Sequence, residues 1–171
     1  MPSGSRIRAA TPEDAEAIAR VHTASWQAGY RGIIAQDYLD TLRWEERHER
    51  WVEILGRTDP ARVDLVGLAG DTVVGFSCLG PTREPDLELV GAVELYAIYV
   101  DAQEWGTGLA DELLVDSLAG AVGTPCTLWV LADNLRARRF YERHGFVPDG
   151  TTRTEEIGGS ELDEVRYRRN A

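Results

Sequence analysis

The sequence predicts a single α/β domain built on a mixed sheet, and three observations lead to this fold class. Strand-like and helix-like segments follow in the order strand, two helices, three strands, helix, strand, helix, two strands. The apolar period changes from helical to alternating near Arg62. An apolar run at Val93–Val100 leads into a glycine-rich turn and an amphipathic helix. The 171 residues, 43% of them hydrophobic, suffice for one core, so we expect one domain over residues 1–171 with its core at about 6–169.

The N-terminal half of the chain is predicted to be mainly helical after a short strand at Arg6–Ala9. Thr11 is followed by proline and two acidic residues, which is the pattern of a helix start. Apolar residues then recur at helical spacing until Gly29, where the helix is expected to end. Residues 37–57 continue the helical pattern, with a break expected near Leu42.

The C-terminal half is predicted to alternate strands with two helices. One of these helices joins the fourth and fifth strands, which are therefore expected to be parallel neighbours, while the hairpins are expected to be antiparallel. The total is about seven strands and four helices. The predicted elements are strands at 63–68, 72–78, 93–100, 126–131, 151–157 and 161–168, and helices ending near Ala121 and at His144.

Charge and composition exclude several classes of function. The formal net charge of -11 would repel nucleic acid, so no nucleic-acid partner is expected, and a cationic substrate is weakly favoured. The chain shows neither a signal-like apolar run at its start nor a window long enough to span a membrane. We therefore expect a cytoplasmic protein without a membrane partner. Cys78 and Cys126 lack metal-ligand spacing and are expected to be buried free thiols.

The turn at residues 105–110 has the composition of a phosphate-binding site. Its glycines precede a helix, so several backbone N–H groups at the helix start point to one spot that suits a pyrophosphate. Glycines at such a turn can also serve tight geometry alone. The turn therefore needs support from other motifs.

That support comes from a resemblance to the GNAT superfamily of acyl-CoA-dependent N-acyltransferases. The family's first motif is Gln/Arg-x-x-Gly-x-Gly/Ala after the fourth strand. Gln103 offers one register, but Leu113 and its neighbouring leucine fit a register in which Trp105, Gly108 and Ala110 occupy the three motif positions. Trp105 then departs from the usual Gln/Arg, which leaves phosphate binding to backbone amides and to any nearby arginine.

A second segment is similar to the family's Asn-x-x-Ala-x-x-Phe/Leu-Tyr-x-x-x-Gly-Phe signature. It runs from Asn134 to Phe146. Asn134, Arg138 and Tyr141 stand at i, i+4 and i+7, on one helical face. An N-cap asparagine and a half-buried core tyrosine are the alternative interpretation of this segment.

The resemblance implies a GNAT-like fold and direct transfer of an acetyl group from acetyl-CoA to a primary amine. The acceptor would be a small molecule or a peptide or protein N-terminus. No metal is implied, and a homodimer is possible. Two alternatives are an acyl-CoA-binding module without turnover and an enzyme that uses a longer acyl-CoA. The implied cofactor-binding residues are Ile98, Tyr99, Val100, Trp105, Gly106, Thr107, Gly108, Leu109, Ala110, Asn134 and Arg138.

The same resemblance assigns roles at the reacting centre. Tyr141 would be the hydrogen-bond donor or acid at the departing sulfur. Glu94 matches the glutamate that acts as base in one branch of the family, so Glu94 would act as base, either directly or through water. The alternative is that Glu94 is a strand-edge carboxylate or a salt-bridge partner. Trp26 and Tyr30 lie near the end of the first helix and would border the acceptor site, although Trp26 could equally belong to the core.

Overall fold

The computed structural model describes residues 6–86 and 89–171; the first five residues, part of the predicted domain and of the segment examined for a signal sequence, lie outside them. Within these ranges it contains seven strands and five α-helices, with short 3-10 turns in some of the connections. In chain order the elements are β1 (Ile7–Ala9), α1 (Ala15–Gly29), α2 (Gln36–Thr41), α3 (Trp44–Gly56), β2 (Val63–Ala69), β3 (Thr72–Pro81), β4 (Val93–Val100), α4 (Leu109–Leu118), β5 (Cys126–Leu131), α5 (Leu135–Arg143), β6 (Val147–Ile157) and β7 (Ser160–Arg169).

The seven strands form one sheet in the order β1-β2-β3-β4-β5-β7-β6. β4 and β5 run parallel, and every other neighbouring pair is antiparallel. The prediction of a mixed sheet with parallel central strands is therefore confirmed. Within these two strands, pairing covers only Val93 with Cys126 and Glu94 with Thr127. Both strands continue beyond this point, so they diverge and open a gap in the middle of the sheet.

Helices cover both faces of the sheet. On one face, α1 and α3 pack on the sheet through a cluster that contains Ile18, Trp51 and Phe76. On the other face, α4 and α5 contribute to a cluster in which Leu114 and Tyr141 pack around the sheet side chains. The burial of these apolar side chains on two faces supplies the main favourable term for folding.

The break expected near Leu42 is confirmed: the region 37–57 is two helices, because Leu42 and Arg43 adopt extended backbone between them. Two other element boundaries differ from the predictions. The fourth-to-fifth strand connection ends its helix at Leu118 and adds a 3-10 turn through Ala121. β6 begins at Val147, earlier than predicted; most of its side chains are exposed, so its sequence lacks apolar alternation and pairing with β7 determines its start.

Candidate active site

A cleft of about 440 Å³ opens where β4 and β5 diverge. It is bordered by the end of α1, the turn before α4, the start of α5 and the β6–β7 hairpin. Segments that are far apart in the sequence thus meet around the gap in the sheet. Twelve of the residues singled out in the sequence line it: Trp26, Tyr30, Glu94, Ile98, Tyr99, Val100, Trp105, Gly106, Gly108, Ala110, Asn134 and Tyr141.

The backbone of β4 offers hydrogen-bonding groups to this cleft. The Asp101 amide donates to the Val74 carbonyl at 2.8 Å, which makes these two residues a hydrogen-bonded antiparallel pair. Because such pairs alternate along a ladder, Ile98 and Val100 direct their backbone groups away from β3 and toward the gap. Tyr99 directs its backbone toward β3. All three residues are predicted to bind the cofactor. The register leaves the backbone groups of Ile98 and Val100 facing the gap, whereas those of Tyr99 face β3.

A β-bulge bends β4 just before this segment. Leu95 pairs with Leu79 and Ala97 pairs with Cys78, which leaves Tyr96 as the extra residue. A Cβ atom at Gly80 would lie 2.6 Å from the Tyr96 hydroxyl oxygen. Gly80 therefore provides the space in which the bulged tyrosine fits.

The turn before α4 holds two glycines in left-handed backbone. Gly106 has φ 79° and Gly108 has φ 86°, conformations that side-chain-bearing residues rarely adopt. Neither amide donates to another residue in the described part of the chain, whereas the Leu109 amide donates to Thr107 Oγ1 at 3.4 Å. The Thr107 hydroxyl in turn donates to the Glu104 carbonyl at 2.8 Å. The turn therefore presents free N–H groups at a helix start.

Trp105, which stands where the motif usually has Gln or Arg, connects the turn to β4 and contacts an arginine from α5. Its indole N–H donates to the Val100 carbonyl at 3.2 Å. The Arg136 guanidinium lies 3.5 Å from the centre of its ring, in cation–π geometry. Arg136 reaches across the cleft from α5 and lines it. Arg136 was not predicted from the sequence, although it lies only two residues after Asn134.

Arg138 does not lie in the cleft, which corrects its assignment as a cofactor ligand. Its Nε donates to the Tyr167 hydroxyl and its Nη1 to the Ala132 carbonyl, both at 2.9 Å. The Tyr167 hydroxyl and the Ala132 carbonyl lie under α5 and need hydrogen-bond partners. The Arg138 side chain therefore extends toward the sheet and not into the cleft. Asn134 lines the cleft and is also the N-cap of α5, accepting from the Ala137 amide at 3.2 Å.

Tyr141 is the one tyrosine on α5, and its environment suits a hydrogen-bond donor. Its ring is buried and packs against Phe140 and Phe146. Burial raises the pKa of its phenol well above the usual value, so the hydroxyl keeps its proton. Among the described residues, none makes a hydrogen bond to this hydroxyl, and it is not sealed from the cleft.

Glu94 is buried at the floor of the cleft, with only 2% of its side chain exposed. Its Oε1 accepts from Arg83 Nη2 at 2.6 Å, and its Oε2 accepts from the Arg83 amide at 2.9 Å and from Nε at 3.2 Å. The carboxylate is therefore a salt-bridge partner, one of the two alternatives that the sequence left open. Arg83 comes from the loop after β3, which carried no signal in the sequence.

Trp26 and Tyr30 meet β4 at the end of α1. Their rings lie 4.9 Å apart in edge-to-face contact, and the hydroxyls of Tyr30 and Tyr99 lie 3.0 Å apart and share a hydrogen bond. Both side chains line the cleft and also pack against the buried cluster around Leu39. Trp26 therefore belongs to the core and also lines the cleft.

Other side chains of reactive type are structural. Cys78 and Cys126 are buried free thiols, as predicted, and burial raises the pKa of Cys126 to about 12.

Over residues 6–86 and 89–171, no three His, Cys, Asp or Glu side chains are grouped closely enough to hold a metal ion. In the same ranges, no helix has the length and apolar content that crossing a membrane requires.

Comparison with known proteins identifies the family. The model of the acetyltransferase (GNAT) family matches residues 18–146. A probable N-acetyltransferase of Mycobacterium tuberculosis is 29% identical over 172 residues, which cover 98% of this chain and 94% of that protein. The crystal structure of an N-acetyltransferase from Staphylococcus aureus superposes with a TM-score of 0.73 at 25% identity, covering 98% of this chain and 99% of that one.

A further solved structure has the same fold with a ligand present. The PaiA N-acetyltransferase of Thermoplasma acidophilum, crystallised in complex with coenzyme A, superposes with a TM-score of 0.74 at 22% identity, covering 99% of this chain and 100% of that one. The matching family model spans both motifs and the diverging strands. The chain therefore belongs to the GNAT family of N-acetyltransferases.

Proposed function

We propose that this enzyme transfers an acetyl group from acetyl-CoA directly to a primary amine in the cleft between β4 and β5. One observation carries the proposal: the unpartnered hydroxyl of Tyr141 opens into the same cleft as the free amides of Gly106 and Gly108. The proposal thus assigns phosphate binding and hydrogen-bond donation to two parts of one cleft. This arrangement suits a donor whose phosphates and reacting thioester are far apart.

The residues present fit coenzyme A. Amides between Trp105 and Ala110 would bind the pyrophosphate at the positive end of α4, and Arg136 would add the cation that the motif lacks at Trp105. The amide-containing arm of the cofactor would pair with the carbonyl of Ile98 and with the amide of Val100, as a strand pairs with a strand. Asn134 would border the arm from α5.

The backbone and Tyr141 would then stabilise the reacting centre. The amine attacks the thioester carbonyl, and an amide of β4 such as that of Ile98 would stabilise the developing oxyanion. Tyr141 would donate a hydrogen bond to the departing sulfur. The departing thiolate, whose conjugate thiol has a pKa of ~8.5, is a weaker base than a tyrosinate, whose phenol has a pKa of ~10. Full transfer of the phenol proton to the sulfur therefore costs about 2 kcal/mol, before the effect of burial on Tyr141 is added. Hydrogen bonding is therefore proposed as the main contribution of Tyr141.

The need for a base depends on the amine. A lysine-like amine of pKa ~10.4 costs about 4.6 kcal/mol to deprotonate at pH 7, whereas an α-amine of pKa ~7.8 costs only about 1 kcal/mol. Glu94, acting through water, is the proposed base. Its pairing with Arg83 also allows a purely electrostatic role, in which the carboxylate attracts the ammonium form of the substrate.

The test is a panel of primary amines with acetyl-CoA, read as release of free thiol. We expect turnover with at least one amine, and we expect Tyr141→Phe to lower kcat by about 100-fold without weakening CoA binding. Tyr38→Phe, on α2 and outside the cleft lining, is the matched control and should keep the wild-type rate. No thiol release with any amine would contradict the enzyme proposal, and an unchanged kcat in Tyr141→Phe would contradict the assigned role.

A further inference from the structure

The part of the cleft next to the β6–β7 hairpin and the start of β4, called the acceptor end below, is lined by two arginine–glutamate pairs. One is Arg83 with Glu94, described above. The other is Arg153 of β6 with Glu164 of β7, joined by Arg153 Nε and Glu164 Oε2 at 2.6 Å. All four side chains line the cleft, and their formal charges sum to zero. This balance departs from the net charge of -11 on the whole chain.

The strand registers place these groups on one face of the sheet. Residues directly opposite each other in paired strands project to the same side. Arg153 pairs with Glu164, and Glu164 pairs with Leu131 on β5. Trp129, two residues earlier on β5, therefore faces the same side as Leu131. This is the face that α1 covers with Trp26 and Tyr30, so the acceptor end has charged and aromatic walls.

Trp129 connects the two ion pairs. The Arg153 guanidinium lies 4.2 Å from the centre of its ring. Its indole N–H donates at 2.7 Å to Glu84, the residue after Arg83. Glu84 also accepts from the buried Arg166 at 2.8 Å. These contacts hold the loop that carries Arg83 against the hairpin that carries Arg153.

Exposure gives each pair the same orientation. The side chains of Arg83 and Arg153 are 65% and 41% exposed, whereas those of Glu94 and Glu164 are 2% and 14% exposed. In both pairs the carboxylate lies deep and the guanidinium lies toward solvent. A substrate that enters this end meets cations first and carboxylates further in.

We infer that the acceptor is a small zwitterion, a free amino acid or a close analogue with a primary amine and a carboxylate a few bonds apart; this rests on the proposed function. Its carboxylate would bind the outer N–H groups of Arg83 and Arg153, and its ammonium group would lie toward Glu94. The aromatic walls formed by Trp26 and Trp129 would contact an apolar side chain. A polyamine lacks a group for the two arginines, and a protein N-terminus has a peptide amide in place of the α-carboxylate.

The experiment compares substrates that differ only at the carboxylate. Phenylalanine, methionine and leucine are assayed with acetyl-CoA beside their carboxamides and their decarboxylated amines, with spermidine and a short peptide included. An α-amine is less basic in the amide than in the free acid, so amine ionisation alone would favour the amide. We expect kcat/KM for the free acid to exceed that for the amide by about 10-fold or more, as for a charge-assisted hydrogen bond.

Arg153→Met tests the assigned partner of the carboxylate. We expect it to raise KM for the amino acid by about 10-fold and to change KM for the carboxamide much less, so that the preference for the free acid shrinks while Arg83 still contributes to it. The matched control is Arg57→Met, which removes an arginine paired with a glutamate on exposed helix surface and should keep the preference.

The outcomes separate the two proposals. Equal or faster turnover of amides, amines, spermidine or the peptide would overturn the zwitterion inference and leave acetyl transfer standing. A preference for the free acid that is as large in Arg153→Met as in the wild type would overturn the assignment of that arginine. No thiol release with any amine would overturn the proposed function, and the inference would fall with it.

Discussion

His22 should make the stability of this enzyme fall in mild acid. Its ring stacks on Tyr99 with centroids 5.2 Å apart and contacts Trp26, Trp51 and Phe76 edge-on. Its Nδ1 accepts a hydrogen bond from the indole N–H of Trp51 at 3.3 Å. A protonated ring would lose that acceptor and carry a charge among aromatic side chains.

Burial, with a further contribution from the charges of Arg47 and Arg50, lowers the pKa of His22 to about 3. In the unfolded chain the pKa returns to ~6.5. Between these two values the unfolded state binds the proton and the native state does not, so the free energy of unfolding falls as the pH falls. From pH 7 to pH 5 the loss from this one residue is about 2 kcal/mol.

Urea denaturation of the wild type and His22→Gln at pH 7, 6 and 5 measures this effect. Glutamine keeps an acceptor oxygen for Trp51 and does not titrate, so the variant should lose about 2 kcal/mol less than the wild type between pH 7 and 5. Carboxylates with lowered pKa values, such as Asp14 and Asp149, lose stability in both proteins and cancel in the difference. Parallel losses in the two proteins would refute the reasoning.

Three further predictions concern the cleft. Arg136→Met should raise the Kd for CoA, measured by calorimetry, by about 10-fold because a charge-assisted contact to phosphate is lost. Arg139→Met, which changes an exposed arginine on the same helix, should leave the Kd unchanged, and equal affinities of Arg136→Met and the wild type would contradict the role of Arg136. Gly108→Ala should lower the free energy of unfolding by about 1 kcal/mol, measured in urea, because φ is 86° and the space for a Cβ is open; unchanged stability would show that the turn relaxes. Glu94→Gln should remove the acidic limb of the pH–rate profile if Glu94 is the base, and an intact limb with unchanged rate would exclude that role.

Local patterns predicted most of the fold. Thr11 and its proline mark the start of the first helical region, and the change of period near Arg62 marks the first hairpin. The parallel pairing of β4 and β5 followed from the helix between them. These features depend on residues close together in the chain, which is where propensity and periodicity act. The length of β6 was missed because its exposed side chains carry no such period.

Cleft-lining residues were predicted where family motifs mark them and missed where tertiary contacts bring them to the cleft. The resemblance to those motifs singled out the turn at 105–110 and Tyr141, and Tyr141 and most of the turn line the cleft. The partner of Glu94 was not, because Arg83 lies in a loop without periodicity and reaches the carboxylate only when the loop folds over β4. Arg136 and Arg138 share one helix, yet only Arg136 reaches the cleft, since a polar group beneath α5 binds the other side chain. Helical spacing alone cannot make that choice.

The divergence of β4 and β5 also leaves two strand edges inside the enzyme. Beyond Glu94 the facing edges carry backbone groups without a partner strand, the kind of surface that natural sheets protect from pairing with other chains. A bound acyl donor would fill this internal edge, and at 100 times its Kd would stabilise the native state by about 2.7 kcal/mol. The concentration of the donor should therefore govern the resistance of this enzyme to unfolding and aggregation as well as its rate.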